Sequence, residues 1–327
     1  MNRRRTLQGL ITCSLMHSFP RVALAQGTEL YPNHAIRLIV PLAAGGGTDL
    51  VSRLVAIEMG KKLGVTIAVE NVSGGGGVIG TSVAVRSAPD GYTLLTGTPS
   101  LSVNPSLRPD LSFDPVKDLA PISMLSRVPY ILVASLSSGL RSVEEVLKRA
   151  RRSPGLVTYG SPGIGTGGHM AGELFQLMAD IKLMHVPYKG SGPAMNDVRA
   201  GRVDLLFGTT PLVAPLLSTH VVSPLAITSL KRSSLLPELP TISQSGVPDF
   251  EASSWYSLFA PAHTPPEILE KLNSSAHYAL TQPRVLQAIE SDGGEPEPTS
   301  RAQLTQFLNE EIQKWRKVIV AANIQVQ

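Results

Sequence analysis

Between residues 35 and 97, three short apolar runs alternate with two helix-patterned segments, and that alternation leaves few folds open. Ile36-Arg37-Leu38-Ile39-Val40 reads as a strand and residues 48–63 as a helix, with Leu50, Leu54 and Ile57 at helical spacing. Residues 65–70 and 92–97 read as further strands around a helix at 78–86. The same grammar returns as strands at 131–134, 156–160, 184–186, 203–207 and 224–228, with helices at 142–152, 166–179 and 191–200. Ser142 and Glu145 have the spacing of a capping box. The last third holds a strand at 254–260 and helices at 266–281, 283–291 and 300–321, where Trp315 and Ile319 lie on one face. Alternation of this kind implies βαβ units and parallel sheet. The chain of 327 residues is long enough for two such α/β halves.

The net charge of +4 sits in the first 25 residues. They contain Arg3, Arg4, Arg5 and Arg21 and no acid, and the remainder balances 25 basic against 25 acidic side chains. A nucleic-acid footprint is therefore not expected. Residues 1–5 form a charged n-region and 7–16 a short apolar stretch. Ala23-Leu24-Ala25 then supplies a cleavage signal, so 1–25 reads as a signal peptide and the mature chain as periplasmic. Cys13, the single cysteine, lies inside that leader, which leaves no disulfide or Cys-based metal site.

Outside the cytoplasm there is no nucleotide pool, so the glycine-rich loops need another explanation. The first runs Pro41-Leu42-Ala43-Ala44-Gly45-Gly46-Gly47-Thr48-Asp49 between a strand and a helix. A helix N-terminus carries unpaired N–H groups and positive partial charge, and glycine lets an anion approach them. The run lacks the Gly-Lys-[Ser/Thr] of a P-loop and the spacing of a dinucleotide fingerprint. Gly74 to Gly77 and the stretch Gly163-Ile164-Gly165-Thr166-Gly167-Gly168-His169 occupy equivalent places after other strands. Ligands of open α/β sheets collect where such loops converge. Gly165, Thr166 and His169 are thus candidate ligand contacts, and Tyr188, just past a strand end, is another. Asp204 opens a strand, where a ligand amine or a neighbouring backbone group would be its partner. His185, inside an apolar strand, reads as structural. No nucleophile elbow, zinc motif or phosphate loop appears, so no catalytic residue, metal or cofactor is expected, and the chain reads as a binding protein rather than an enzyme.

Taken in order, several segments resemble the tripartite tricarboxylate transporter substrate-binding (Bug receptor) family. They are Ile36-Arg37-Leu38-Ile39-Val40-Pro41, Ala44-Gly45-Gly46-Gly47-Thr48-Asp49, Val69-Glu70-Asn71, Ala88-Pro89-Asp90-Gly91-Tyr92, Asn104-Pro105-Ser106-Leu107, Asp114-Pro115-Val116-Lys117-Asp118, His185-Val186-Pro187-Tyr188-Lys189-Gly190 and the helix around Trp315. The resemblance implies a type II periplasmic-binding-protein fold, two α/β domains with a ligand cleft between them. Residues 26–134 with 235–327 would form a discontinuous first domain and 135–234 the second, hinged near 134–140 and 228–236. It implies capture of a small carboxylate by backbone amides at Leu42, Ala44, Gly45 and Gly46, with Gly77, Thr98, Thr166 and Asp204 as further wall positions. The implied partner is the membrane permease of a tripartite tricarboxylate transporter or, on the alternative reading, a sensor histidine kinase. Val78, Gly167-Gly168 and Gly208-Thr209 depart from the family pattern by losing polar side chains, which points toward a less polar or bulkier acid.

Overall fold

The protein is described by a computed structural model covering residues 31–325. The expected leader, its cleavage signal and Cys13 lie outside the described residues.

The first third runs β1 (Ile36–Val40), α1 (Gly47–Leu63), β2 (Ile67–Asn71), α2 (Val78–Val85), β3 (Thr93–Gly97), α3 (Ser100–Leu107) and β4 (Leu119–Pro129). The middle runs β5 (Ile131–Ser135), α4 (Val143–Arg152), β6 (Thr158–Ser161), α5 (Gly167–Ala179), β7 (Met184–Pro187), α6 (Ser191–Arg199), β8 (Leu205–Gly208), α7 (Thr210–Leu217) and β9 (Val222–Ile227). The chain closes with β10 (Ser253–Pro261), α8 (Pro266–Ala279), α9 (Pro283–Ser291), β11 (Glu295–Pro296) and α10 (Arg301–Ala321).

Two sheets result. The first has the order β11-β4-β10-β3-β1-β2 and the second β7-β6-β8-β5-β9. β1 is parallel to β2 and β3, and β6 is parallel to β7 and β8, as strands joined by helical crossovers are. The long strands β4 and β10 are antiparallel to each other and extend the first sheet. The chain leaves the first sheet between Pro129 and Ile131 and returns after Ile227 through β10. Sheet membership therefore changes at Tyr130, before the boundary expected at 134, because β5 pairs with β8 and β9.

Helix α1 differs from its expected orientation. Leu50 and Ile57 are about half exposed, while Val51, Val55 and Met59 are buried. Both faces carry apolar side chains, and the Val51–Val55–Met59 stripe is the one that packs inward. Helix α10 links the two halves. Leu304 and Leu308 pack with Ile39, Leu95 and Trp255 of the first. Trp315, Val318 and Ile319 pack with Val146, Phe175 and Phe207 of the second. Ser300 and Gln303 close its N-terminus with a full capping box. At α4 the Ser142 hydroxyl accepts the Glu145 N–H at 3.3 Å, but the Glu145 carboxylate accepts from Arg141 N at 2.6 Å, one residue beyond the box position.

Candidate functional site

The C-terminal ends of β1, β2 and β3 feed the first wall. Residues 43–46 of the first loop are exposed, and Gly45 adopts φ +92°, a left-handed conformation that glycine takes without strain. The loop is pinned from behind by Asp49, the third residue of α1. Its carboxylate accepts the Gly45 N–H at 3.0 Å and the Asn71 amide at 2.9 Å, and pairs with Arg53 Nε at 3.0 Å. The Asn71 amide also donates to Leu42 O at 3.1 Å. Burial pulls the Asp49 pKa upward, but Arg53, the Gly45 N–H and Asn71 together outweigh it and hold the carboxyl below the ordinary range. The Gly45 N–H is thus engaged within the chain. Those of Ala44, Gly46, Gly47 and Thr48 donate to no partner among the described residues.

Gly77 and Thr98 join the same wall. A Cβ placed on Gly77, which has φ +92°, would stand 2.8 Å from Ser100 Oγ and 3.8 Å from Pro41 Cβ. The Thr98 and Ser100 hydroxyls are 2.9 Å apart. Asn104 secures the glycine turn by donating to Gly76 O at 3.2 Å.

The second wall is the loop after β6. The Thr166 hydroxyl donates to Gly163 O at 2.7 Å, and the Gly165 N–H donates to His169 Nδ1 at 3.1 Å. This repeats the Gly45–Asp49 device: a left-handed glycine donates to a side chain four residues on, at the third position of the helix. His169 is 4% exposed and its ring faces inward, tilted 36° against His185 with the ring centroids 4.1 Å apart. Burial, with His185 adding to it, lowers the His169 pKa to about 3, and burial lowers His185 to about 4. Both are neutral at neutral pH. His185 Nε2 lies 2.6 Å from Ser161 Oγ, and Tyr159 donates its hydroxyl to Glu173 beside them. His169 therefore braces the loop through Nδ1 as a neutral ring rather than a cation.

Two other expected residues are not brought to these loops by their side chains. Tyr188 donates its hydroxyl to Asp197 Oδ2 at 2.6 Å, and only its backbone borders Gly163. Asp204 precedes β8, whereas the loops lie beyond the C-terminal strand ends, roughly 13 Å further along at a strand's rise per residue. Its carboxylate accepts from Thr158 N at 2.8 Å and Thr158 Oγ1 at 2.9 Å, tying β8 to β6.

The walls meet at a buried junction that the sequence reading missed. A Cβ on Gly47 would overlap the Asp292 carboxylate, one on Gly293 would overlap Thr210, and one on Gly167 would overlap the Tyr130 hydroxyl. Tyr256 donates to Asp292 Oδ2 at 2.6 Å. The starts of α1, α5 and α7 thus converge on Tyr130, Tyr256 and Asp292. Burial raises the Asp292 pKa, partly opposed by the Tyr256 hydroxyl. Burial also pushes Tyr130 up to about 12, keeping its hydroxyl a donor. Across the junction Leu107 would stand 2.8 Å from a Cβ on Gly165. Of these positions only α7 carried a local signal, Thr209 and Thr210 before Pro211, the pattern of a helix start. A groove of about 740 Å³ lies elsewhere, between the start of α4 and residues 235–240, and includes none of the glycine loops. Among the described residues no cluster of three or more His, Cys, Asp or Glu is placed to hold a metal ion.

Comparison with known proteins agrees with this architecture. The family model described as tripartite tricarboxylate transporter family receptor matches residues 51–324. The protein BugT of Bordetella pertussis is 36% identical over 300 residues, covering 91% of this chain and 92% of that protein. Among solved structures, R. palustris Rpa4515 with adipate superposes with a TM-score of 0.77 at 34% identity, covering 90% of this chain and 99% of that one. MatC (Rpa3494) from Rhodopseudomonas palustris with bound malate gives 0.74 at 30% identity, covering 88% and 100%. The two-sheet α/β fold is that of these solved structures, and the chain belongs to the tripartite tricarboxylate transporter receptor family.

Proposed function

We propose that this chain is a periplasmic receptor that closes its two halves around a small carboxylate and presents it to the membrane permease of a tripartite transporter. The observation that carries this reading is the convergence of two braced glycine loops. Each precedes a helix with unpaired N–H groups, and each is held by a side chain four residues on. The acids bound by Rpa4515 and MatC support the ligand class. The leader sequence and the family support export to the periplasm.

In this reading Ala44 and Gly46 donate to the carboxylate, Gly45 shapes the loop, and Leu42, Gly77, Thr98, Gly165 and Thr166 line the walls. The crossovers at Tyr130 and beyond Ile227 serve as hinges between two domains, one built on each sheet. The receptor relatives favour capture over catalysis, and Ser161, whose hydroxyl lies against His185, is fully buried rather than open to a ligand.

Calorimetric titration of the mature protein with adipate, malate and a panel of other small acids tests the proposal. Saturable binding of at least one acid, recovered unchanged afterwards, is expected. No binding across the panel, or conversion of a bound acid, would refute it.

A further inference from the structure

Arg108 follows the last turn of α3, and its Nε is buried with no hydrogen-bond partner. No described carboxylate forms an ion pair with it. The Arg127 Nε likewise makes no well-directed hydrogen bond, but it has anions beside it: Glu297 stands 2.6 Å from that Nε and Glu251 3.1 Å from Nη1, whereas Arg108 has no such counter-charge among the described residues. A guanidinium N–H taken out of water without an acceptor is costly and calls for an explanation.

The surroundings of Arg108 supply one. Its Nη2 is 4.0 Å from the Cβ position of Gly76, in the second glycine run, and its neighbour Leu107 meets Gly165 of the opposite wall. Gly76 adjoins Gly77, which packs on Pro41 at the start of the first loop. The guanidinium therefore stands within roughly 15 Å of Pro41, at the start of the first loop, the most that one Cα–Cα step plus those two contacts allows. That reach admits an acid with a second anionic end.

We propose that Arg108 is a specificity-determining residue that receives the distal carboxylate of a dicarboxylate whose proximal carboxylate sits on the first glycine loop. The inference rests on the proposed function and adds to it a residue and a selection rule. Arg recognises a carboxylate through two parallel N–H donors, and the pairing relieves the unmet donor. An acid with one carboxylate leaves that donor unmet and gains nothing from Arg108.

The test is calorimetric titration of matched pairs (succinate and butyrate, adipate and hexanoate, phthalate and benzoate) into the wild type, Arg108→Gln and Arg108→Lys. The wild type is expected to prefer the dicarboxylate in at least one pair. Arg108→Gln should weaken that dicarboxylate by roughly 10- to 100-fold, the loss of one charge-assisted pair, and change its monocarboxylate partner by less than about threefold. Arg108→Lys should recover part of the loss, since it keeps the charge without the fork. Equal weakening of both acids by Arg108→Gln, no weakening of either, or no dicarboxylate preference in the wild type would overturn the inference while leaving carboxylate capture intact. Failure of the wild type to bind any acid would instead sink the proposed function, and this inference with it.

Discussion

The buried His169–His185 contact makes the protein sensitive to mild acid, and the size of the effect follows from burial. His169 is held neutral, with its pKa lowered to about 3 by burial and then by His185. In the unfolded chain it titrates near 6.5. The unfolded state therefore binds more protons than the folded one between pH 6.5 and about 3. Stability falls as the pH drops through that window and is unaffected above it. At pH 5 the loss from His169 alone is about 2 kcal/mol, at 1.36 kcal/mol per pH unit below 6.5. His185, lowered to about 4 and less buried, adds a smaller share after solvent screening. For a chain of this size, about 2 kcal/mol corresponds to roughly 3 °C in Tm. Replacing His169 with Asn keeps an acceptor near the Gly165 N–H and removes the titrating group. The assay is thermal unfolding of the wild type and His169→Asn at pH 7 and pH 5, comparing the drop in Tm between the two. The wild type should lose roughly 3 °C more than the variant. Equal losses would show that the folded protein accommodates the protonated ring, and the assignment of His169 as a neutral brace would be wrong.

Two further perturbations separate the binding loops from their supports. Gly47→Ala places a methyl group on the Asp292 carboxylate and should break its bond to Tyr256, costing about 1–3 kcal/mol for a buried donor left unpaired. In urea unfolding the Asp292→Ala/Gly47→Ala double variant should lose less than the sum of the singles, and strict additivity would rule out the overlap. Asp204→Asn should lower stability by about 1 kcal/mol through its bonds to Thr158 and leave affinity for adipate or malate within about twofold. A tenfold loss of affinity would return Asp204 to the site.

The strand–glycine–helix units were legible because their signals are local. The apolar period, the glycines and the absence of a phosphate-loop lysine all lie within residues 36–49. What hid was set by direction or distance. Asp204 and Tyr188 both flank strands, but only the sheet shows that Asp204 lies at the end away from the loops. His169 begins a helix at the loop, yet Gly165 and His185 draw its ring inward, a placement that its helical position does not specify. The junction joins Tyr130 to Tyr256 and Asp292, both more than a hundred residues further on, and nothing local marks it. Proline obscured α3 and α7: Pro105 and Pro215 lie inside the helices, where proline removes an N–H, whereas Pro211 falls in the first turn, where none is needed. β4 was hidden by Pro121, Ser123, Ser126 and Pro129, which interrupt any apolar pattern in a strand that nonetheless lies largely buried against β10.

The central claim is that the backbone of the first glycine loop holds the carboxylate, and Gly45→Val tests it most directly. No atom lies within 4 Å of a Cβ at that position, so the substitution acts through φ +92°, which valine tolerates poorly. The cost to the empty protein should be about 1–3 kcal/mol, a few degrees in Tm, which leaves it folded at 25 °C. Titrated with whichever acid binds the wild type most tightly, the folded variant is predicted to show at least a roughly 50-fold loss of affinity, the effect of more than one misplaced charge-assisted hydrogen bond. Wild-type affinity in the folded variant would contradict the account and move the carboxylate away from the Gly45 loop.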